Sequence, residues 1–322
     1  MNYMQSILFP RGIVSCFILA LQVFYPAECA GQKSSAVSGV DIVLSAGPNV
    51  DEFNWSIAGF ANDTTYVNVL SELKWQYIKS HSLSLGVRYC LKGKVFLAAT
   101  FQKAFIHSGI ATDTDYQQQN RNDVVYHASF DSDEGSLVRV GLSAGYRFNF
   151  LRVFSITPFA GYSNTGQNLF ILQDKTTGKK DLRSTYQTNW RGLMLGVETE
   201  TRIGSKTKML MGITYHQTRY SASADWNLVE TFQHPVSFTH HANGFGLTPE
   251  LTIQYALTSV LDIFLNGQIG YWKTGKGRDT LYLQDGHALA TQLNGVKRTS
   301  KGISIGVSVS LSKIIHSASS RR

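Results

Sequence analysis

Apolar and polar residues alternate with a period of two in many segments of this 322-residue chain. Near its end, Ile303, Ile305 and Val307 alternate with Ser304 and Gly306. Because successive side chains of a β-strand point to opposite faces, the pattern predicts strands with one apolar face and one polar or small-residue face. The 15 Tyr and 18 Phe residues agree with a β protein, because aromatic residues favour strands.

The polar residues indicate which face would be wet. Glu198, Glu200, Asp262, Asn266 and Gln268 share their strand face with glycines and serines, which suits a hydrated lumen with the apolar face turned to lipid. No apolar run reaches the roughly 18 residues of a membrane-spanning helix. The mean hydropathy of −0.11 fits alternating barrel strands. We therefore predict an all-β fold, a single antiparallel transmembrane β-barrel.

Eleven segments carry the alternation: 40–46, 67–77, 83–90, 94–104, 137–150, 153–163, 191–201, 208–219, 245–257, 261–273 and 302–312. Bacterial single-chain barrels normally have an even number of strands. The residues between Tyr77 and Leu83 include no Gly, Pro or Asn to end a strand. We therefore expect the second and third segments to form one long strand with a bulge, giving ten strands.

The connections between these strands alternate in length. The short ones are 91–93, 151–152, 204–206 and 258–260. The long ones are 47–66, 105–136, 164–190, 220–244 and 274–301. Short turns on one rim and long loops on the other are typical of outer-membrane barrels, whose long loops face outward from the cell. The predicted location is the cell outer membrane, with the long loops extracellular.

Charge is sorted along the chain in the same way. The net charge of +8 and the pI near 9.3 would by themselves favour a nucleic-acid binder. Residues 47–66, 109–134 and 220–241, however, carry net charges of −3, −5 and −2. This distribution predicts an acidic mouth that attracts cationic ligands, and basic flanks suited to anionic lipid headgroups.

The two ends of the chain differ from the rest. Arg11, the apolar stretch 13–21 and the small residues Ala27 and Cys29 fit a cleavable signal peptide over residues 1–29. The barrel is then expected over residues 30–312. A basic tail, residues 313–322, follows the last alternating segment. No second domain is expected.

One pair of acidic residues suggests chemistry. Asp113 and Asp115 lie two residues apart in an extended segment, so both carboxylates should face the same side, a few ångströms from each other. Such a pair can hold a water molecule or share a proton, which is the basis of acid–base hydrolysis. Aspartate pairs in loops also bind cations, and this alternative remains open.

Several motifs resemble those of the omptins, the ten-stranded outer-membrane proteases of Gram-negative bacteria. The specific ones are residues 113–116 (DTDY) and 275–282 (GKGRDTLY). Weaker likenesses are residues 71–75 (SELKW), 142–146 (LSAGY) and 159–162 (FAGY). The resemblance spans nearly the whole mature chain in matching order, at low identity, and it implies the same fold.

Omptins pair two aspartates on one side of a cleft with an aspartate–histidine dyad on the other, and a water between them attacks the scissile carbonyl. The resemblance assigns the first pair to Asp113 and Asp115 and the opposite aspartate to Asp225. The histidine position falls on Asn227, which cannot take up a proton near neutral pH. A shifted alignment would instead recruit one of four histidines: His216, His234, His240 or His241.

Two functions remain open. The resemblance implies an omptin-type aspartic endopeptidase that cleaves basic peptides through an aspartate-bound water. The alternative, favoured by Asn227, is a catalytically impaired barrel that acts as a surface adhesin or binds cationic ligands. The expected partners are outer-membrane lipid and a cationic peptide or protein. Lipopolysaccharide is one candidate lipid, although Asn164 and Gly166 replace residues that bind it in omptins. No cofactor, metal or nucleic acid is expected.

Overall fold

The computed structural model describes residues 38–311, except 63, 152, 176–177 and 179–181. Its strands are β1 (Gly39–Phe60), β2 (Tyr66–Leu91), β3 (Val95–Gln118), β4 (Asn122–Asp131), β5 (Gly135–Tyr146), β6 (Phe148–Leu151), β7 (Phe154–Ile171), β8 (Ser184–Arg202), β9 (Thr207–Asp225), β10 (Phe238–Ala256), β11 (Leu261–Thr274), β12 (Gly277–Tyr282) and β13 (Ala288–Ser310). A 3-10 helix, Gln119–Arg121, connects β3 to β4. The expected signal peptide, 1–29, and basic tail, 313–322, lie outside the described residues. Within the described part of the chain, no helix has the length and apolar character needed to cross a membrane.

These strands form one antiparallel sheet that closes on itself. The first and last strands pair from Asp41 with Ser310 to Ala58 with Gln292, so the ring has no open side at this seam. Strands β4, β5 and β6 follow one another as interrupted parts of one crossing, and β11 and β12 form another. The ring therefore contains ten crossings, which confirms the predicted ten-stranded antiparallel barrel.

The second crossing confirms that two alternating segments belong to one strand. β2 runs without interruption through 26 residues. Its pairing with β3 shifts register between Gln76 and Ser80, at the position where the alternation changes phase. Tyr77 lies there with a φ of 53° and its ring exposed. A bulge of this kind lets the strand continue while the face of each following side chain changes.

The predicted long loops are wrong in their extent, because most of those residues are strand. The actual connections on that rim are 61–65, 119–121, 172–183, 226–237 and 283–287. Several crossings have 19 to 26 residues, whereas about 9–11 tilted residues span a bilayer. The excess continues beyond the lipid as hairpins, because its inward-facing residues are apolar and pack against each other.

The face that carries the apolar residues changes along each crossing. Near the short turns, large apolar residues point outward, and Leu193 and Ile305 are 65% and 67% exposed. Farther from those turns, the tryptophans Trp75, Trp190 and Trp272 point inward and are at most 1% exposed. The first region presents an apolar band to lipid, and the second encloses an aromatic core inside the barrel.

The lumen at the level of the apolar band is polar, as predicted. Arg88 donates two hydrogen bonds of 3.0 Å to the carboxylate of Glu198. Asn266 donates a 2.8 Å hydrogen bond to Thr252. A cavity of about 620 Å³ lies among these residues and also borders Gln268. Because every charged pair here is enclosed by the strands, the lipid meets only the apolar side of the wall.

Candidate functional site

The two aspartates of the DTDY motif lie together on the inner face of the β3–β4 hairpin. In β3, Asp113 is opposite Ala128 and Asp115 is opposite Tyr126 across the hairpin. Both carboxylates are on the face that also buries Leu73 of β2, and Asp113 is only 8% exposed. The strand periodicity that predicted a shared face is therefore confirmed for this pair.

Burial and proximity change the acidity of this pair. Burial raises the pKa of Asp113 well above its usual range, and the neighbouring charge of Asp115 raises it further. A hydrogen bond from the backbone N–H of Thr114 opposes these effects in part. Burial also raises the pKa of Asp115, against a hydrogen bond from the hydroxyl of Ser71. The pair thus retains a proton more readily than two exposed aspartates would.

An aromatic ring completes this inner wall. Burial, followed by the charges of Asp113, Asp174 and Asp115, raises the pKa of Tyr126 to about 12. Asp174 comes from the connection between β7 and β8, where it bridges to Phe130, and is 5% exposed. Tyr126 lies across the hairpin from Asp115, and the charges of three carboxylates from two different hairpins act on it. We call Asp113, Asp115, Asp174 and Tyr126 the acidic wall.

Asp225 lies in a different place. It ends β9 between Ala224 and Trp226, which both point inward and are buried, so its own side chain belongs to the outward face. There it pairs with His234, with 2.5 Å between the histidine Nδ1 and the aspartate Oδ1. The structure thus brings together Asp113 with Asp115, and separately Asp225 with His234.

Asn227 hydrogen-bonds the β9–β10 connection to the residues where β8 begins. Its side-chain amide donates a 2.8 Å hydrogen bond to the carbonyl of Leu182, and its backbone N–H donates another of 2.8 Å to the hydroxyl of Ser184. Ser184 begins β8, and Leu182 lies two residues before it. These two bonds fix the β9–β10 connection against the neighbouring β7–β8 hairpin.

The remaining candidate histidines are in other environments. His216 lies inside the barrel, hydrogen-bonded to Ser163 at 2.9 Å. His240 is 1% exposed in the aromatic core, 2.7 Å from the hydroxyl of Tyr186 and 3.2 Å from Asp279. His241 is exposed on the outward face of β10. Among the described residues, no group of three or more His, Cys, Asp or Glu side chains is placed to hold a metal ion.

Sequence reasoning missed the role of Tyr126 and left His234 as one of four choices. Tyr126 could have been found from the hairpin itself, because a tight connection at 119–121 places it beside Asp115. His234 is nine residues beyond Asp225, in the connection between β9 and β10. The alternation of apolar and polar residues does not continue through such a connection, so only the folded structure shows this contact.

Comparison with known proteins identifies the family. The sequence model described as "Pom: Protochlamydia outer membrane protein" matches residues 43–311. The chain belongs to the Protochlamydia outer membrane protein family. With the closed barrel and its apolar band, this membership locates the Pom chain in the outer membrane. No curated protein matches its sequence.

One solved structure in particular shares the fold of this barrel. The outer membrane protease OmpT from Escherichia coli superposes with a TM-score of 0.71 at 11% identity, covering 84% of this chain and 96% of that chain. The translocator domain of the autotransporter NalP from Neisseria meningitidis gives 0.38 at 10% identity, covering 84% and 88%. At such identities the likeness to OmpT establishes a shared barrel fold and nothing about activity.

The raised pKa of Asp113 predicts how its removal changes stability with pH. A carboxyl whose pKa is higher in the folded state adds stability that is fully present below its unfolded pKa, about 3.9. That contribution is lost as the pH rises through the folded pKa. Asp113→Asn stays neutral, so at about pH 8 its free energy of unfolding should exceed that of the unmodified protein.

Urea unfolding in detergent, followed by tryptophan fluorescence, measures this difference at high and low pH. The gain of Asp113→Asn should disappear below about pH 3.9. The control is Asp285→Asn, because Asp285 is exposed and hydrogen bonds from His287 lower its pKa. That variant should show no gain at high pH. A less stable Asp113→Asn protein at high pH would contradict the expectation.

Proposed function

We propose that this Pom barrel is a surface-binding protein that takes cationic ligands at the acidic wall, with its hairpins extracellular. One observation carries the proposal: Asp115 lies directly across the hairpin from Tyr126, with Asp113 beside it on the same face of β3 and Asp174 bridged to Phe130 of β4. Carboxylates bind ammonium and guanidinium groups, and a neutral phenol ring attracts a cation over its face. A bound cation would also stabilise the ionised form of Asp113, which burial and the charge of Asp115 disfavour in the free protein.

A lysine or arginine side chain suits this wall better than a free metal ion. Its charged end can reach the carboxylates while its aliphatic stem packs on Tyr126. Asp113 is nearly buried, so a ligand must reach inward from the rim. We infer that the natural ligand is a basic peptide or a basic segment of a protein. Adhesion to a basic surface would be one use of this site.

We also propose that the barrel is a divergent relative of the omptins. The likeness to the OmpT fold and the DTDY motif on β3 support a common origin. The aspartate pair is retained, whereas Asn227 replaces the histidine and binds Leu182 and Ser184. Such a site would retain recognition of basic residues after losing the family's chemistry.

Replacing Asp115 tests cation binding. Asp115→Asn removes one charge from the wall while keeping the shape and the hydrogen bond from Ser71. Charge-assisted hydrogen bonds contribute about 1.5–3 kcal/mol, so affinity should fall about 10-fold or more. Titration calorimetry on the detergent-solubilised protein would measure the binding of spermine and of a ten-residue peptide of alternating lysine and threonine.

The matched control for this titration is Asp285→Asn, an exposed aspartate outside the wall. It should bind both probes as tightly as the unmodified protein. Equal affinities of the Asp115→Asn variant and the unmodified protein, or no binding of either probe, would overturn the proposed function.

A second candidate function is peptide hydrolysis, and the contact between Asp225 and His234 favours it. A carboxylate that orients a histidine is the usual arrangement of a general base. If this pair acts as the base, outer membranes should cleave a dibasic fluorogenic peptide. His234→Ala should then lower the rate about 10²–10⁴-fold. The control is His287→Ala, which removes an exposed histidine paired with Asp285 at 2.9 Å. Absence of cleavage by the unmodified protein would exclude this candidate.

The outer wall suggests the lipid partner. Arg191 is directly opposite Arg219 on neighbouring strands, and Lys273 is directly opposite Lys297. All four are exposed, and none forms an ion pair with a described residue. Like charges at opposite positions destabilise a sheet unless an anion neutralises them. Leu193, two residues after Arg191, already belongs to the apolar band.

Aromatic residues lie beside these basic pairs, as expected at a membrane interface. Tyr215, Phe245 and Tyr271 form a row on adjacent strands, with 6.3 Å between successive ring centroids. The ammonium of Lys297 lies 5.7 Å from the ring centroid of Tyr271. We propose that the phosphate groups of outer-leaflet lipid, lipopolysaccharide among them, neutralise the basic pairs at this height.

Lipid retention tests this part of the proposal. The double variant Arg219→Gln/Lys297→Gln should copurify with less phosphorylated lipid per protein, because each like-charged pair loses half of its charge. Phosphorus analysis and native mass spectrometry of the detergent extract would measure it. Arg183→Gln is the control, since Arg183 is paired with Glu134 at 3.1 Å. Unchanged lipid content in the double variant would count against the assignment.

A further inference from the structure

Other backbone segments of this chain hydrogen-bond to the outer edge of β4 over only part of its length. Near the base of the hairpin, residues of the β7–β8 connection pair with it as a short third strand. Asp131 donates to the carbonyl of Gln173 at 3.0 Å, Leu172 donates to the carbonyl of Asp131 at 2.9 Å, and Lys175 donates to the carbonyl of Ser129 at 2.8 Å. The same edge can therefore accept an added antiparallel strand.

This added strand ends where the chain turns away. The backbone N–H of Gly178 donates to the carbonyl of Asp174 at 2.8 Å, which closes a turn. Farther out, β4 pairs with β3 on one side, and no described backbone group pairs with its other side. In an antiparallel pair, alternate residues direct their N–H and C=O away from the partner strand. By that alternation His127 directs its backbone groups as Ser129 and Asp131 do.

The outer part of β4 is exposed and has the composition of a strand that pairs. Residues 122–127 are all exposed, and Val124 and Val125 are 55% and 51% exposed. Open edges in native sheets are usually protected by proline, lysine or a covering loop. Residues 122–127 contain neither proline nor lysine, no described backbone group pairs with this edge, and its one charged residue is Asp123.

Charge complementarity indicates what would pair there. A strand added beside β4 would direct alternate side chains to the inner face, next to Tyr126. Asp113, Asp115 and Asp174 supply the negative charge on that face. Residues 109–134 have a net charge of −5, so the whole hairpin attracts positive charge.

We propose that an extended basic peptide segment adds to the outer edge of β4 as an extra antiparallel strand, with a lysine or arginine at every second residue. Backbone hydrogen bonds at His127, before the register shift at Val125, provide affinity that does not depend on side chains. The alternate basic side chains then reach the acidic wall and provide specificity. This inference rests on the proposed function, because it supplies the binding mode for the same cationic ligand.

A pair of variants at one position separates backbone pairing from side-chain effects. His127→Pro removes the N–H that faces the open edge, and proline is tolerated at an edge position whose N–H does not bond within the sheet. His127→Ala keeps that N–H and loses the same 2.9 Å contact with Thr114. For the lysine–threonine peptide, His127→Pro should bind about 10-fold more weakly than His127→Ala. Equal affinities of the two variants would overturn the inference.

Spermine distinguishes failure of this inference from failure of the proposed function. Spermine has the positive charges of the peptide but no peptide backbone. It should bind His127→Pro and His127→Ala equally, and it should still lose affinity in Asp115→Asn. Spermine binding that ignores Asp115 overturns the proposed function. Peptide binding that needs Asp115 but is equal in the two His127 variants overturns only the added strand.

A second measurement applies if His127→Pro does not assemble. The unmodified protein is titrated with two N-methylated forms of the peptide, one methylated at every lysine and the other at every threonine. Only one set of N–H groups faces β4 in a paired strand. One form should therefore lose about 10-fold in affinity, while the other binds like the parent. Unchanged binding of both forms would overturn the inference.

Discussion

A ten-stranded barrel encloses an interior that side chains must fill, and here two different chemistries fill it at two heights. At the level of the lipid the inward residues are polar, and pairs such as Arg88 with Glu198 neutralise each other. Beyond the lipid the inward residues are aromatic, and Trp75 stacks on Tyr186 with 5.3 Å between ring centroids. Because the strands run unbroken through both layers, their outward faces must change from apolar to polar at the same height. The hairpins can stand in water only because this aromatic core lies between them.

The aromatic core also creates the conditions for the candidate site. Ala128 and Phe130 anchor the base of the β3–β4 hairpin in that core, at 2% and 0% exposure. Asp113 lies directly opposite Ala128, where burial raises its pKa. The outer half of the hairpin lies beyond the core, and no described backbone group pairs with the outer edge of β4 there. One hairpin thus carries both the acidic wall and the outer edge of β4, the two features that the proposed extended ligand would contact.

The fold was largely predictable because its signals are local. The alternation of apolar and polar residues predicted the strands that cross the membrane. The lack of strand-ending residues between Tyr77 and Leu83 predicted the long second strand. The loops were overestimated because alternation reverses its sense beyond the lipid, where inward residues such as Trp55 are the large ones. The spacing of Asp113 and Asp115 predicted their shared face. The environment of Asp225 was not predictable from spacing, because it depends on strand parity at the end of β9 and on a histidine from a separate connection.

The seam between the first and last strands has a consequence for how the molecule is made. Asp41 pairs with Ser310, so contacts of the greatest sequence separation complete the structure. Such contacts form late and slowly, since the entropy of closing the whole chain must be lost before they form. Until the final strand has left the cytoplasm, β1 has one unpaired edge and can recruit another chain. The exposed edge of β1 during that interval is therefore a route to misassembly that the closed ring no longer offers.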